Sequence, residues 1–555
     1  MRFFSPPFTA TTAAERLNGP ARSKRYFLHG RKPRKRSKPL DLHASIILVN
    51  ANIITMDHSR RRAEALAVLQ DRIIDVGDSK SINKLAGPET NCINVHGRTI
   101  VPGFIDCHSH LIELGLSLRN LELTGTRSIR ELKERIRAQT NRGNNWTIGR
   151  GWDQEKFAEA RYPSRYDLDD VAKSNPIFLR RICGHIAVTN SSALRNAGIT
   201  SRTPDPQGGK IDRDSAGRPT GILREKAMDL VEQKIPPPTE SEYRIASLYA
   251  FRKALSVGLT TVHCIISSKS ELAVFQELER KGKLPIRLQI LIPIHKLRFA
   301  EHLGIESRFG NDWLRIAGVK IFADGSLGAR TAAVQVPYDD DPLNRGILTH
   351  SQEELEKLID RAHKAGFQIA AHAIGDEAVH AVLRAYAKLK DVEKMRHRIE
   401  HASVLNPHLI RWISRLKVIV SVQPSFIRSD TWIELRLGRE RSRYANALRT
   451  LKQMRVITVA GSDCPIEPMS PLIGVCAAVD RPGNQSLTVD EAISLYTCNA
   501  AYASFEEQTK GSIEPGKLAD LVVLNNNPYE VPATDISRIR VLMTIVGGKI
   551  AYNSF

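Results

Sequence analysis

Thr99-Ile100-Val101-Pro102-Gly103-Phe104-Ile105-Asp106-Cys107-His108-Ser109-His110 is a β-forming apolar run that ends in two histidines one residue apart. Successive strand side chains point to opposite faces, so His108 and His110 share a face. Two imidazoles on one face are half of a metal site; taken alone, an H-x-H pair is more often two hydrogen-bonded structural histidines. The rest of the chain decides between these readings. Seven further apolar runs follow, at 259–262, 286–291, 316–321, 367–371, 398–400, 418–422 and 456–460, with helical stretches between them. Eight such runs alternating with helices predict an α/β fold, a (β/α)8 TIM-like barrel. Active sites of that fold lie at the C-terminal ends of the strands, where His108 and His110 stand.

The ends of the chain have a different texture. Short β-type runs at 45–49, 53–55, 65–68, 72–76 and 92–95 precede the barrel, and runs at 519–524, 541–546 and 549–552 follow it. Neither set can bury a core alone, so both ends are expected to form one small β-sandwich, from 41–98 and 506–555, with the barrel at 99–505 inserted between them. Spacing in the barrel is even except after the first run. Residues 113–250 are too long for a loop and are expected to be a structured insertion.

Composition narrows the classes of function. At 42% hydrophobic and 25% charged residues, the 555-residue chain is ordinary for a globular enzyme. No run of about eighteen apolar residues predicts a membrane span. Seven scattered cysteines form neither a disulfide framework nor a C-x-x-C metal knuckle, which points to a reducing, cytoplasmic setting. The formal charge of +21 invites a nucleic-acid reading, yet about half of it lies in residues 1–40, where eleven Lys/Arg face the single acid Glu15. That stretch reads as a solvated, disordered basic tail. A functionless extension, an organelle-targeting segment and a patch for nucleic acid or a membrane surface compete for it, and no nucleic-acid or membrane partner is expected for the body of the chain.

Polar residues recur at the ends of the later runs. His372 follows the fifth in Ala371-His372-Ala373-Ile374-Gly375-Asp376, and His401 follows the sixth in Arg398-Ile399-Glu400-His401-Ala402. Each alone reads as structural; together with an H-x-H they reverse those odds. His401 is preferred to the nearby His397 because it stands at the strand end. Asp463, in Gly461-Ser462-Asp463-Cys464-Pro465, can ligate a metal and take a proton from its water, or merely cap a helix. Lys320 ends the fourth run, where a buried ammonium is costly. It either pairs with Asp324 or Asp463 or becomes a carbamate able to bridge two metals. This donor set suits one or two ions of Zn2+, with Mn2+ or Fe2+ as alternatives, better than Mg2+ or Ca2+. No G-x-S-x-G elbow or P-loop offers a rival mechanism.

These residues resemble the amidohydrolase superfamily, in its YtcJ-like branch (amidohydrolase family 3). The resemblance rests on Val101–His110, Gly318–Arg330, His372–Asp376, Arg398–Ala402, Gly461–Pro465 and Gly511–Leu521, and runs from about Leu48 to Tyr552. It implies a metal site of His108, His110, His372, His401 and Asp463, with His372, His401 and Asp463 catalytic and Asp463 shuttling protons. It also implies Lys320 as a carboxylated bridge. In the insertion, 181–191 and 219–225 also look like this branch, which by analogy places residues 113–250 over the barrel mouth as a substrate-covering insertion and makes His185, Arg224 and Trp152 candidates for substrate contact. The implied function is hydrolysis of a non-peptide C–N bond in a small molecule, an amide or formamide, by a metal-activated hydroxide. A cyclic-amide hydrolase or deaminase is the alternative, a non-catalytic scaffold the remote one, and a homodimer the candidate assembly.

Overall fold

Fully buried parallel strands read as near-continuous Val/Ile/Leu/Ala runs, and such runs organise the centre of this protein. The computed structural model describes residues 43–118, 120–140, 146–181, 186–206 and 209–555; the expected basic tail at 1–40 lies outside them. Eight parallel strands make one sheet: β1 (Phe104–Ser109), β2 (Leu259–Ile265), β3 (Arg287–Pro293), β4 (Leu314–Phe322), β5 (Gln368–Ala373), β6 (Arg398–His401), β7 (Ile419–Val422) and β8 (Thr458–Ala460). They pair in sequence order, so each connection crosses over through the outer layer, as parallel pairing requires. The chain just after β8 meets β1: the Asp463 N–H donates to His108 O at 2.7 Å, and the His110 N–H to Cys464 O at 2.9 Å. The nearly closed sheet is a (β/α)8 TIM barrel. Its outer face packs on helices such as Lys269–Arg280, Gln352–Lys364 and Asp376–Tyr386, whose Phe275, Ile359 and Val379 share one core with Val262, Ile290 and Ile369.

The opening run does not enter the barrel whole. Thr99–Pro102 belongs to a six-stranded sheet, between Leu521–Leu524 and Asn52–Ile54, and only Phe104–Ser109 lines the barrel. Gly103 makes the switch, because a Cβ there would lie 2.2 Å from Thr260 Oγ1 on β2. The barrel therefore starts at Phe104 rather than at 99. Val541–Val546 and Lys549–Asn553 complete that sheet on one side and Arg62–Ala63 on the other. A four-stranded sheet, in the order Arg72–Gly77, Ala65–Leu69, Ile46–Val49 and Asn91–Asn94, supplies Leu48, Leu66 and Ile73 to a core shared with Ile100, Leu521, Val523 and Ile545.

Residues after β1 form a second six-stranded sheet, in the order Gly209–Arg213, Pro219–Glu225, Ile186–Thr189, Ile177–Arg181, Thr147–Trp152 and Leu121–Glu122. The helix Glu240–Ser256, whose first part falls inside the insertion expected at 113–250, belongs to the barrel wall instead. Its inner stripe of Tyr243, Ala250, Phe251 and Ala254 has helical spacing and joins the barrel core. Among the described residues, no helix is long and apolar enough to cross a membrane.

At the end of the barrel away from the histidines, Arg287 makes a two-pronged ion pair with Asp520, at 2.8 and 2.9 Å, and both are buried. Its third prong donates to Asp312 O at 3.0 Å, and Asp520 also accepts the Gly547 N–H at 2.8 Å. The pair ties β3 to the sheet holding Leu521–Leu524. Removing one member strands a buried charge, so R287L should cost about 3–5 kcal/mol of unfolding free energy. The double variant R287L/D520L should recover much of that loss in urea titrations. Equal losses in single and double variants would show that packing, not charge, is at stake.

Candidate metal centre

β1 places Asp106 and His108 on the interior face by strand alternation, and His110 follows at the start of helix Leu111–Ser117. Asp463 arrives from β8 in the left-handed region, with φ +56°. Its Oδ1 lies 3.3 Å from His108 Nε2 and 3.5 Å from His110 Nε2. One ligand atom from each of His108, His110 and Asp463 lies within 4.8 Å of the others, the spacing a single ion can span.

His372 and His401 stand beside this group. The His401 ring is 4.9 Å from that of His108 and 4.5 Å from that of His372, centroid to centroid. Strict alternation along β6 would put His401 with Ile399 on the outer face. Positive φ at His401 (+73°) and Ala402 (+47°) breaks the alternation and turns the imidazole inward. His397 is at the other end of β6, where it accepts the Ile369 N–H and stacks on Tyr386.

Each histidine's tautomer follows from its partner. Carboxylates and carbonyls only accept, so His108 Nδ1 donates to Glu400 Oε2 at 2.5 Å and leaves Nε2 facing Asp463 and Lys320. His372 Nε2 donates to Gly325 O at 2.9 Å, which leaves Nδ1 free. Burial is the main reason that His372 is held neutral, with its pKa pushed down to about 3, and it drives His401 down as well. Burial alone would raise the pKa of Asp463, yet hydrogen bonds from His108 and His110 hold it well below the usual carboxylate range. At His108, burial and the Lys320 charge oppose protonation, but Asp463 and Glu400 outweigh them and raise its pKa. A positive charge is therefore favoured between His108 and Asp463. Neutral imidazoles, an ionised carboxylate and that preference fit a divalent metal.

Lys320 Nζ is buried 3.2 Å from His108 Nε2. Burial lowers its pKa to about 8, against the pull of Glu400 and Asp463. Of its two expected partners, Asp324 is committed elsewhere: it accepts the N–H groups of Ala333, Ile374 and Gly375 at 3.0, 3.0 and 2.8 Å, staples the loop after β4 to the end of β5, and comes within 3.5 Å of His372.

The insertion candidates fare differently. Trp152 is fully buried in the insertion core, its Nε1 donating to Leu179 O at 2.8 Å, so it has no face for a substrate. Arg224 is locked to Asp212 by bonds of 2.8–3.1 Å and lies over Tyr162, a cross-link of the insertion sheet rather than an open anion site. His185 lies outside the described residues.

Like Asp106, Glu400 is a residue of the site that sequence reasoning missed. It is fully buried and braced by Arg398, whose Nε donates to Glu400 Oε1 at 2.7 Å, Nη1 to His263 Nδ1 at 2.9 Å and Nη2 to Cys107 O at 2.7 Å. A charged pair with spacing of two, in an otherwise buried strand, was its available signal. Partners of this kind are typically worth 10–100-fold in metal affinity. E400Q should weaken divalent-metal binding by about that factor when metal-free protein is titrated against a chromophoric chelator. Unchanged affinity would mean that the carboxylate does not orient His108.

The geometry has clear relatives. An amidohydrolase family model matches residues 91–552. The amidohydrolase-family protein YtcJ of Bacillus subtilis (strain 168) is 35% identical over 522 residues, covering 90% of this chain and 98% of its own. A protein of Arthrobacter pascens named N-substituted formamide deformylase is 29% identical over 534 residues, covering 91% of this chain and 98% of its own. A solved Pyrococcus furiosus structure, described as an uncharacterized metal-dependent hydrolase, superposes with a TM-score of 0.76 at 34% identity, covering 87% of this chain and all of that one. With the barrel, the ordered motifs and these matches in hand, this chain belongs to the amidohydrolase family, in its YtcJ-like branch.

Proposed function

We propose that the protein hydrolyses a carbon–nitrogen bond outside peptides, in an amide or formamide, with Asp463 as the group that moves the proton. The observation that carries this reading is Asp463 itself: an ionised carboxylate, largely buried, within 3.5 Å of two imidazoles at the mouth of a barrel. The full-length match to the Arthrobacter protein named for N-substituted formamides supports formamides as the first class to try.

His108, His110, His372, His401 and Asp463 would hold the metal, and Zn2+ matches an imidazole-rich set best. When bound there, the metal supplies Lewis acidity at the carbonyl and brings the pKa of a water to about 7. The remaining steps belong to the protein. Asp463 accepts a proton from the attacking water as the water oxygen bonds to the carbonyl carbon. It returns that proton to the leaving nitrogen as the C–N bond breaks, giving a carboxylic acid and an amine. Glu400 keeps His108 in one tautomer throughout. Lys320, buried beside His108, is suited to carboxylation: its neutral amine bonds to the carbon of carbon dioxide, releases one proton and becomes an anionic carbamate that a second ion could share.

Metal analysis of the purified protein should find one or two transition-metal ions per chain. A panel of N-formyl, N-acyl and cyclic amides, assayed with added Zn2+ or Mn2+, should give turnover. In D463N, kcat should fall by about 10²–10⁴-fold with the thermal midpoint little changed, as expected on loss of a general base. Wild-type kcat in D463N would remove the proposed proton transfer, and a panel without turnover would remove the C–N assignment.

A further inference from the structure

Phe322 is the last residue of β4 and pairs in register with His372 on β5. Register partners on neighbouring strands share a face, and so do residues two apart on one strand. His372 and Lys320 both face the metal centre, so Phe322 faces it too, one layer nearer the mouth. The contacts agree: its ring centroid is 5.1 Å from that of His372 and 4.8 Å from Lys320 Nζ. Lys320 and His372 are buried, yet Phe322 is 45% exposed. Exposed single apolar side chains are common on outer surfaces. An interior-facing aromatic ring left open beside a metal centre is a different situation, because a substrate held at the histidines would lie within reach of it. Beyond Asp463, on the β8 side, the Ile466 N–H donates to Asp463 O at 3.0 Å and its side chain is 67% exposed.

We propose that Phe322 is a specificity-determining residue, a wall of the substrate pocket that selects amides carrying a flat apolar group, an aryl or arylalkyl substituent, next to the scissile C–N bond. This rests on the C–N hydrolase reading above. An aromatic substituent can lie offset or edge-on against the ring, in the arrangements aromatic pairs prefer, whereas a methyl group leaves the wall wet. Phe322 ligates nothing, and its substitution leaves the donors of the centre intact.

The test is a binding ratio that needs no turnover. Benzohydroxamate and acetohydroxamate, which carry the same chelating head, are titrated calorimetrically into metal-loaded wild-type protein and into F322A of equal metal content. Wild type should bind benzohydroxamate at least about tenfold more tightly, the scale on which apolar pockets discriminate. F322A should lose most of that preference, F322L should keep part of it, and acetohydroxamate affinity should stay within about twofold throughout. A preference retained in F322A, or absent from wild type, overturns the proposal. An intact Phe322-dependent preference with no amide hydrolysed would sink the C–N assignment and leave the aromatic wall standing.

Discussion

The Asp106 carboxylate is the constraint on which the centre depends. Its Oδ1 accepts the N–H groups of His108 and Ser462, each at 3.0 Å, and its Oδ2 accepts the Ser462 hydroxyl at 2.6 Å. One buried side chain thus staples the first barrel strand to the turn after the last, residues more than 350 positions apart. Gly461 permits the approach, since a Cβ there would lie 2.5 Å from the His108 nitrogen. With the seam held in this way, Asp463 has little choice but to face His108 and His110. The left-handed backbone at Asp463 is tolerable because these bonds surround it.

Inside the barrel, charge is arranged in layers. Nearest the mouth are the imidazoles and Asp463; beneath them Glu400 and Arg398 form a dry ion pair between His108 and His263. Glu506 and Lys510 form another buried pair, joined by the half-buried Arg315, in contact with Thr261 and Gln289 near the starts of β2 and β3. Buried ion pairs are weak sources of net stability, and their geometry is what they offer. Here the Arg398–Glu400 pair fixes one ring nitrogen of one histidine. An apolar replacement of similar volume would pack well and leave that ring free to choose its tautomer.

The insertion is a separate construction with a core of its own, built from Leu123, Leu132, Trp152, Leu179 and Val188. Its prominent aromatic and cationic residues serve that core and its cross-links. The selectivity proposed for Phe322 would lie at the strand ends instead, where interior-facing positions run out into solvent.

Much of this was legible in the sequence, because barrel strands announce themselves locally. Short apolar runs alternating with helical stretches, with His108, His372, His401 and Asp463 just after four of them, state both the fold and where its chemistry collects, since the period of two is a property of the strand alone. What needed the tertiary structure was every relation set by a partner far along the chain. Gly103 divides one continuous apolar run between two sheets because Thr260 crowds it, and the stripe on Glu240–Ser256 became barrel wall only when it met the barrel core. Glu400 looked like any acid in a strand until folding placed it against His108, and His401 faces inward only through a positive φ that alternation cannot foresee. Periodicity is encoded residue by residue; convergence is decided by which distant strands close on one another.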